Sequence, residues 1–253
     1  MKNDSKKKVK NPAFRNEGLY EPSSTPVTRG GVVTKTMMLL FVVIASAMVT
    51  GVMLWDNFAE GSKGNMMTMA IVAIVLTLVL ALTIIFKPKL AKPLGFIYAV
   101  VEGYLLGVIS MAAMQIDGGH VVPTALFVTL AIVLATNILY TTGIVKVNEK
   151  FMSIIFMMTA GAFFFYLFIF IAGFFGLDKS FLFDGSPLAI GIGLLMLIIA
   201  SLNLFADYYL IDQFVREKAD KEYEWYLAFG VVLTVVWIYI EVLRLVQNLT
   251  GND

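Results

Sequence analysis

Hydrophobic residues in this chain run in long unbroken blocks, separated by short polar breaks, with no strict alternation anywhere along them. A segment of about 20 apolar residues in helical form crosses the roughly 30 Å hydrocarbon core of a bilayer. Seven blocks meet that length: Val33–Trp55, Met66–Phe86, Leu94–Met114, Pro123–Thr142, Phe151–Phe175, Pro187–Ala206 and Trp225–Val246. The fourth is short and carries Asn137. Turn residues occupy the breaks, among them Gly61 and Gly64, Pro88 and Pro93, Gly118 with Gly119, and Gly185 with Pro187. Unbroken apolar runs satisfy their own backbone as helices, whereas membrane strands would alternate with a period of two. The pattern therefore predicts an all-α polytopic membrane protein with seven transmembrane helices.

Composition agrees with the pattern: 59% of residues are hydrophobic and 15% are charged, where a water-soluble domain carries about 25% charged residues. The polar stretch before Val33 holds Lys6-Lys7-Lys8, Pro12, Pro22, Pro26 and Gly30-Gly31. It has too little apolar surface to fold alone and is expected to be a disordered basic tail over residues 1–32. The membrane domain is then expected over 33–248, with a short C-terminal tail over 249–253. The basic stretch is too long and polar for the n-region of a signal peptide, so no cleavage is expected.

The 19 Lys and Arg residues are distributed unevenly about these spans. With the N-terminus in the cytoplasm, the tail and Lys35, the second, fourth and sixth connections and their flanks all fall inside. Only Lys63, Lys179 and Arg244 fall outside. Positive charge concentrates on the cytoplasmic side of membrane proteins, which predicts N-in, C-out topology in the cell inner (plasma) membrane.

Ionisable residues inside hydrocarbon cost at least about 2.5 kcal/mol and are candidates for function by default. At about 1.5 Å per residue, Glu102 lies roughly 12 Å from the inner surface on the third helix. Asp207 ends the sixth span at the inner boundary, and Glu241 lies about 24 Å from the inner end of the seventh. Each also has a plainer reading. Glu102, where function is the favoured reading, can instead be an interior carboxylate paired with a Tyr or a backbone group, and Asp207 is equally at home as a solvated group near Arg216. Glu241 and Arg244, three apart on one face, read as a structural ion pair. Asn137 and Asn203 suit interhelical hydrogen bonding, and the Gly103/Gly107 pair suits close helix packing.

Several chemistries are excluded or unsupported. The chain has no cysteine, which removes disulfides, thiolates and Cys-ligated metals. A retinal Schiff base on the last helix would need a Lys that this helix lacks. The single histidine, His120, is assigned to an outer loop, which argues against an intramembrane metalloprotease. No nucleotide-binding Gly-rich motif is present. Neither an enzyme nor a nucleic-acid partner is expected, no resident cofactor is called for, and the partner in view is the lipid bilayer.

Four stretches resemble a known family. They are Asn11-Pro12-Ala13-Phe14 in the tail, Glu102-Gly103-Tyr104-Leu105-Leu106-Gly107 in the third helix, and Leu202-Asn203-Leu204-Phe205-Ala206-Asp207 at the end of the sixth. The fourth is Glu224-Trp225-Tyr226-Leu227-Ala228-Phe229-Gly230 with Ile238-Tyr239-Ile240-Glu241 in the seventh. In this order they resemble the Bax inhibitor-1/YccA superfamily, the transmembrane Bax-inhibitor-motif proteins, in its bacterial branch. The resemblance implies a fold in which six helices surround a central seventh. It also implies a pH-sensitive calcium leak channel, with Ca2+ as the permeant ion. In characterised members an Asp near the end of the sixth helix pairs with an Asp in the seventh. Asp207 matches the first position and Glu241 the second, with Glu in place of Asp.

The resemblance thus implies Asp207 and Glu241 as ion-pathway and pH-sensing residues; depth in the membrane adds Glu102 to them, with Asn137, Asn203 and Arg244 as supporting candidates. A count along the helices separates Asp207 from Glu241 by about 24 Å. If the sixth helix runs on to Phe214 and the seventh enters the membrane near Phe229, the gap falls to about 8 Å. The alternative function comes from the YccA side of the family: a regulatory protein that binds and modulates a membrane protease or another membrane complex.

Overall fold

The computed structural model describes residues 23–59, 63–117, 119–176 and 180–250. It contains seven long helices, each long and apolar enough to cross a membrane: α1 (Arg29–Ala59), α2 (Lys63–Phe86), α3 (Ala91–Asp117), α4 (Val121–Thr141), α5 (Glu149–Phe174), α6 (Pro187–Arg216) and α7 (Tyr223–Thr250). Short 3-10 turns over Pro88–Leu90 and Ser180–Leu182 are the other helical pieces described. Among the described residues the sole β-type pairing is an isolated bridge between Pro26 and Asp220.

Short connections make successive helices antiparallel, so the starts of the odd-numbered helices and the ends of the even-numbered ones share one end of the bundle. Contacts confirm this. Arg29 at the start of α1 pairs with Asp212 near the end of α6, and Tyr140 at the end of α4 donates to the same carboxylate. Phe96 of α3 meets Trp225 of α7 in a tilted ring contact. This end carries most of the chain's lysines and is called the basic end below.

The last helix is the axis of the bundle. α7 packs against α1, α3, α4 and α6, and 67% of its most apolar window is buried, more than in any other span. Ile238, Val232, Val242 and Leu243 are enclosed on all sides. The outer helices turn Phe41, Phe127, Phe156 and Phe164 outward, an apolar surface that only lipid can cover. α1 lies against α3 where Gly103 and Gly107 leave out a side chain. A Cβ at Gly107 would come 2.7 Å from Thr50 Cβ, and one at Gly103 would run into the Val43 carbonyl and Ser46. The close approach lets Ser46 Oγ donate to the Val100 carbonyl at 2.7 Å.

Two elements differ from the sequence reading. α6 does not stop at Ala206 but runs to Arg216, ending where Lys218 takes a left-handed φ of 52°. The charges that mark an apparent end, Asp207 and Asp212, are both hydrogen-bonded to neighbouring helices, so they cost too little to break the helix. Phe214, beyond them, is buried.

The second is the expected disordered tail, part of which is structured. Residues 23–32 are ordered. Val27 N–H donates to the Ala219 carbonyl at 2.8 Å, and Lys221 N–H donates to the Thr25 carbonyl at 3.0 Å. Val27 and Val32 are buried. This strap satisfies its backbone against the α6–α7 turn and starts α1 at Arg29. Residues 1–22 of the expected tail, with its Asn-Pro-Ala-Phe element, lie outside the described residues. At the other terminus α7 takes in Leu249 and Thr250. Asn248 is buried there and clasps the α5–α6 connection, donating to the Leu182 carbonyl at 3.0 Å and accepting from Gly185 N–H at 3.3 Å.

Candidate functional site

Polar groups inside the bundle gather in three places, and the sequence-predicted residues divide among them.

The first is a cavity of about 220 Å³ between α2, α6 and α7, towards the basic end. Asp207 lines it with Asn203, Tyr226, Gly230 and Thr234, and Ile85 and Leu233 supply apolar wall. Thr234 Oγ1 donates to Asp207 Oδ2 at 2.7 Å. Gly230, one turn earlier on α7, faces the carboxylate: a Cβ there would lie 3.6 Å from Asp207 Oδ1, an ordinary contact. One turn along α6, the Asn203 amide bonds to Thr159 of α5 and to the Ile199 carbonyl, both at 2.8 Å. A water takes about 30 Å³ of liquid and needs two to four polar partners. The cavity has room for several waters, and Asp207, Asn203 and Tyr226 supply partners.

The second cluster surrounds Glu241. Its carboxylate accepts from Arg244 Nη2 at 2.6 Å, from the Tyr166 hydroxyl at 2.6 Å and from Trp237 Nε1 at 2.9 Å. Arg244 also lies over the Tyr166 ring, 5.5 Å from its centroid. Both members of the pair are buried, and the charges neutralise each other. Arg244 Nε is the one buried atom in this network without a hydrogen-bond partner.

These two clusters correct the expected pairing. Asp207 is level with Thr234, and Glu241 is seven residues further along α7, about 10 Å. The longer α6 does shorten the 24 Å separation, but Asp207 and Glu241 have different partners and do not meet. The plainer reading of Glu241 with Arg244 is what the structure shows.

Glu102 forms the third place. It is buried on α3, with the Tyr98 side chain one turn earlier against it. Tyr98 meets Phe229 of α7 edge-on, and Ser110 hydrogen-bonds Tyr239 at 2.7 Å. Interpolating between those contacts puts Glu102 level with Val232–Thr234, the depth of Asp207. No hydrogen bond or ion pair joins the two carboxylates among the described residues. Asn137 is exposed on α4, beside Tyr208, and belongs to none of the clusters.

At the basic end the structure gives roles to residues that the sequence reading left without one. Glu224 is fully enclosed and accepts from Thr28 N–H at 2.9 Å and Thr28 Oγ1 at 3.0 Å. Lys35 pairs with the same carboxylate and lies over the Trp225 ring. A carboxylate at a helix N-terminus satisfies free N–H groups and complements the helix dipole. α7 thereby caps α1. The available signal was a Thr immediately before a basic apolar run, with an acidic residue opening the Glu224-Trp225-Tyr226 element.

A seven-helix bundle with a carboxylate-bearing last helix at its centre defines a polytopic α-helical membrane protein. The sequence profile of the family described as Bax inhibitor 1 like matches residues 3–251, and the chain belongs to that family. No curated protein sequence is similar enough to count as a match.

Proposed function

We propose that this chain is a cation leak pathway, with Ca2+ as the permeant ion and protonation of Asp207 as its control. The observation that carries the reading is the position of Asp207. It is an intramembrane carboxylate on the wall of a largely apolar cavity, where Asn203, Tyr226 and Thr234 supply the other polar groups, and it is held by a side-chain hydrogen bond from Thr234 of the central helix. An intramembrane acid in that setting is a marker of ion and proton pathways. Ca2+ takes oxygen ligands, and a leak needs only a few weak ones. Asp207, Asn203 and Thr234 offer oxygens in one place, and Glu102 lies at the same depth on the other side of α7. Glu241 and Arg244 serve the reading differently from the family pattern: they neutralise each other and fix α7 to α5. The basic end faces the cytoplasm of the inner membrane, and no catalytic reaction is assigned.

Purified protein in liposomes loaded with a calcium indicator tests the reading. Wild type should pass Ca2+ at a rate that depends on pH, and Asp207→Asn should remove that dependence. Absence of flux from wild type at every pH would sink the channel reading in favour of a regulatory protein.

A further inference from the structure

We propose that a second cavity, at the basic end, is a binding site for the phosphodiester headgroup of an anionic membrane lipid. The cavity measures about 510 Å³ and is walled by four parts of the chain. Lys35 comes from α1, Lys89 and Lys92 from the α2–α3 junction, and Lys221 and Trp225 from the α6–α7 turn and the start of α7. The strap contributes Thr25.

The charges on its wall are unequal and only partly spent. Lys35 is neutralised by Glu224. Among the described residues Lys89, Lys92 and Lys221 have no ion-pair partner. Two carboxylates share the wall, Asp220 and Glu222. Asp220 is already engaged through both oxygens, accepting from Ser23 Oγ at 3.1 Å and from Glu222 N–H at 2.8 Å. Three free lysines against two carboxylates leave one uncompensated positive charge, which matches a single phosphodiester.

Position argues for a lipid over a soluble phosphate. The wall residues sit within the first two turns of α1, at the entry to α3 and at the turn into α7, where the apolar spans end and the headgroup layer begins. Trp225 is the type of side chain enriched at that level. Phe86, three residues before Lys89, and Ile97, four after Pro93, are exposed apolar surface along which acyl chains can lie. Basic pockets between transmembrane helices bind lipid headgroups. This site is separate from Asp207 and does not depend on whether the protein conducts.

The test uses the full chain purified in mixed micelles of phosphatidylglycerol and phosphatidylcholine at equal amounts, with retained lipid counted by native mass spectrometry. Wild type should retain phosphatidylglycerol over phosphatidylcholine by about tenfold, and K89Q/K92Q/K221Q should bring the ratio close to one. K87Q/K146Q/K150Q removes the same charge from lysines of the same end outside the cavity and should keep the wild-type ratio. Lysine-to-glutamine changes at exposed positions leave the fold intact, which a gel-filtration profile of each variant checks. Equal retention of both lipids by wild type overturns the site. So does equal loss in the two triple variants, which would mean a diffuse surface attraction. Displacement of the retained lipid by millimolar glycerol phosphate or inorganic phosphate would make the cavity a soluble-phosphate site and overturn the lipid assignment. Preferred retention of phosphatidylethanolamine in a parallel mixture would do the same.

Discussion

Thr234 Oγ1 donates to Asp207 Oδ2 at 2.7 Å, fastening α6 to the central helix seven residues short of Glu241. Asp207 and Glu241 consequently share no hydrogen-bond partner, and about 10 Å of helix separates their levels. Sites that far apart without shared partners behave additively, to within about 0.5 kcal/mol. Asp207→Asn is expected to flatten the pH response of Ca2+ flux, while Glu241→Gln changes stability and leaves the response in place. In the double variant the two losses of thermal stability should sum. A double variant no worse than the stronger single one would show that the two acids act as one unit after all.

The hydrogen bond itself can be probed without touching the carboxylate. Thr234→Val keeps the side-chain shape and removes the donor, at a cost of about 1–3 kcal/mol if Asp207 is left unsatisfied. With α6 less firmly tied to α7, basal flux should rise by about fivefold, the equivalent of roughly 1 kcal/mol. Thr234→Ser, which keeps the hydroxyl, should behave as wild type. Identical flux from the Val and Ser variants would remove this bond from the control of the pathway.

Glycine substitutions at different positions should have opposite signs. Gly103→Ala and Gly107→Ala drive a methyl into backbone carbonyls and side chains of α1, and overpacking of this kind costs about 1–3 kcal/mol. Gly161→Ala and Gly191→Ala meet nothing within 4 Å and gain helix propensity of up to about 1 kcal/mol each. Thermal melting in detergent should fall for the first pair and hold or rise for the second. Indifference at Gly107 would mean that α1 and α3 are not in the close contact described.

Much of this was legible in the sequence, and the exceptions have physical causes. Length and unbroken apolarity are local properties, so the seven spans stand out from the chain alone. Helix ends are less visible, because a charge ends a helix only if nothing satisfies it. Asp207 and Asp212 find Thr234, Tyr140 and Arg29 on other helices, and no local window contains those partners. The strap is hidden for a similar reason: residues 23–28 gain their order from the α6–α7 turn, nearly two hundred positions away. Spacing was sufficient for Glu241 and Arg244, whose contact lies within one helical turn, and for the close helix packing at Gly103 and Gly107. Glu224 as the cap of α1 required knowing that α7 starts beside α1.

The concentration of lysines at one end predicts orientation. A reporter that is active only in the cytoplasm should be silent when fused after Asp253 and active when fused before Met1. Activity at both ends would mean an even number of crossings, contrary to the seven helices of the bundle.

The buried pair of Glu241 and Arg244 makes the sharpest energetic prediction. Removing one partner of such a pair leaves a charge that neither water nor a counter-ion can reach, and the cost is about 3–5 kcal/mol. Arg244→Met should therefore be severely destabilising: Glu241 keeps its hydrogen bonds from Tyr166 and Trp237 but loses its only cation. Glu241→Gln should be damaging for the converse reason, because Arg244, whose Nε already lacks a partner, is left with only the Tyr166 ring beside its charge. Combining the two substitutions removes both charges and leaves a glutamine able to accept from Tyr166 and Trp237. Replacing both members of a buried pair is often neutral, so the double variant should be more stable than either single one. Thermal melting of the four proteins in the same detergent reads this directly. A double variant as unstable as the sum of the singles would show that the two charges do not compensate each other, and the closed pair would have to be abandoned.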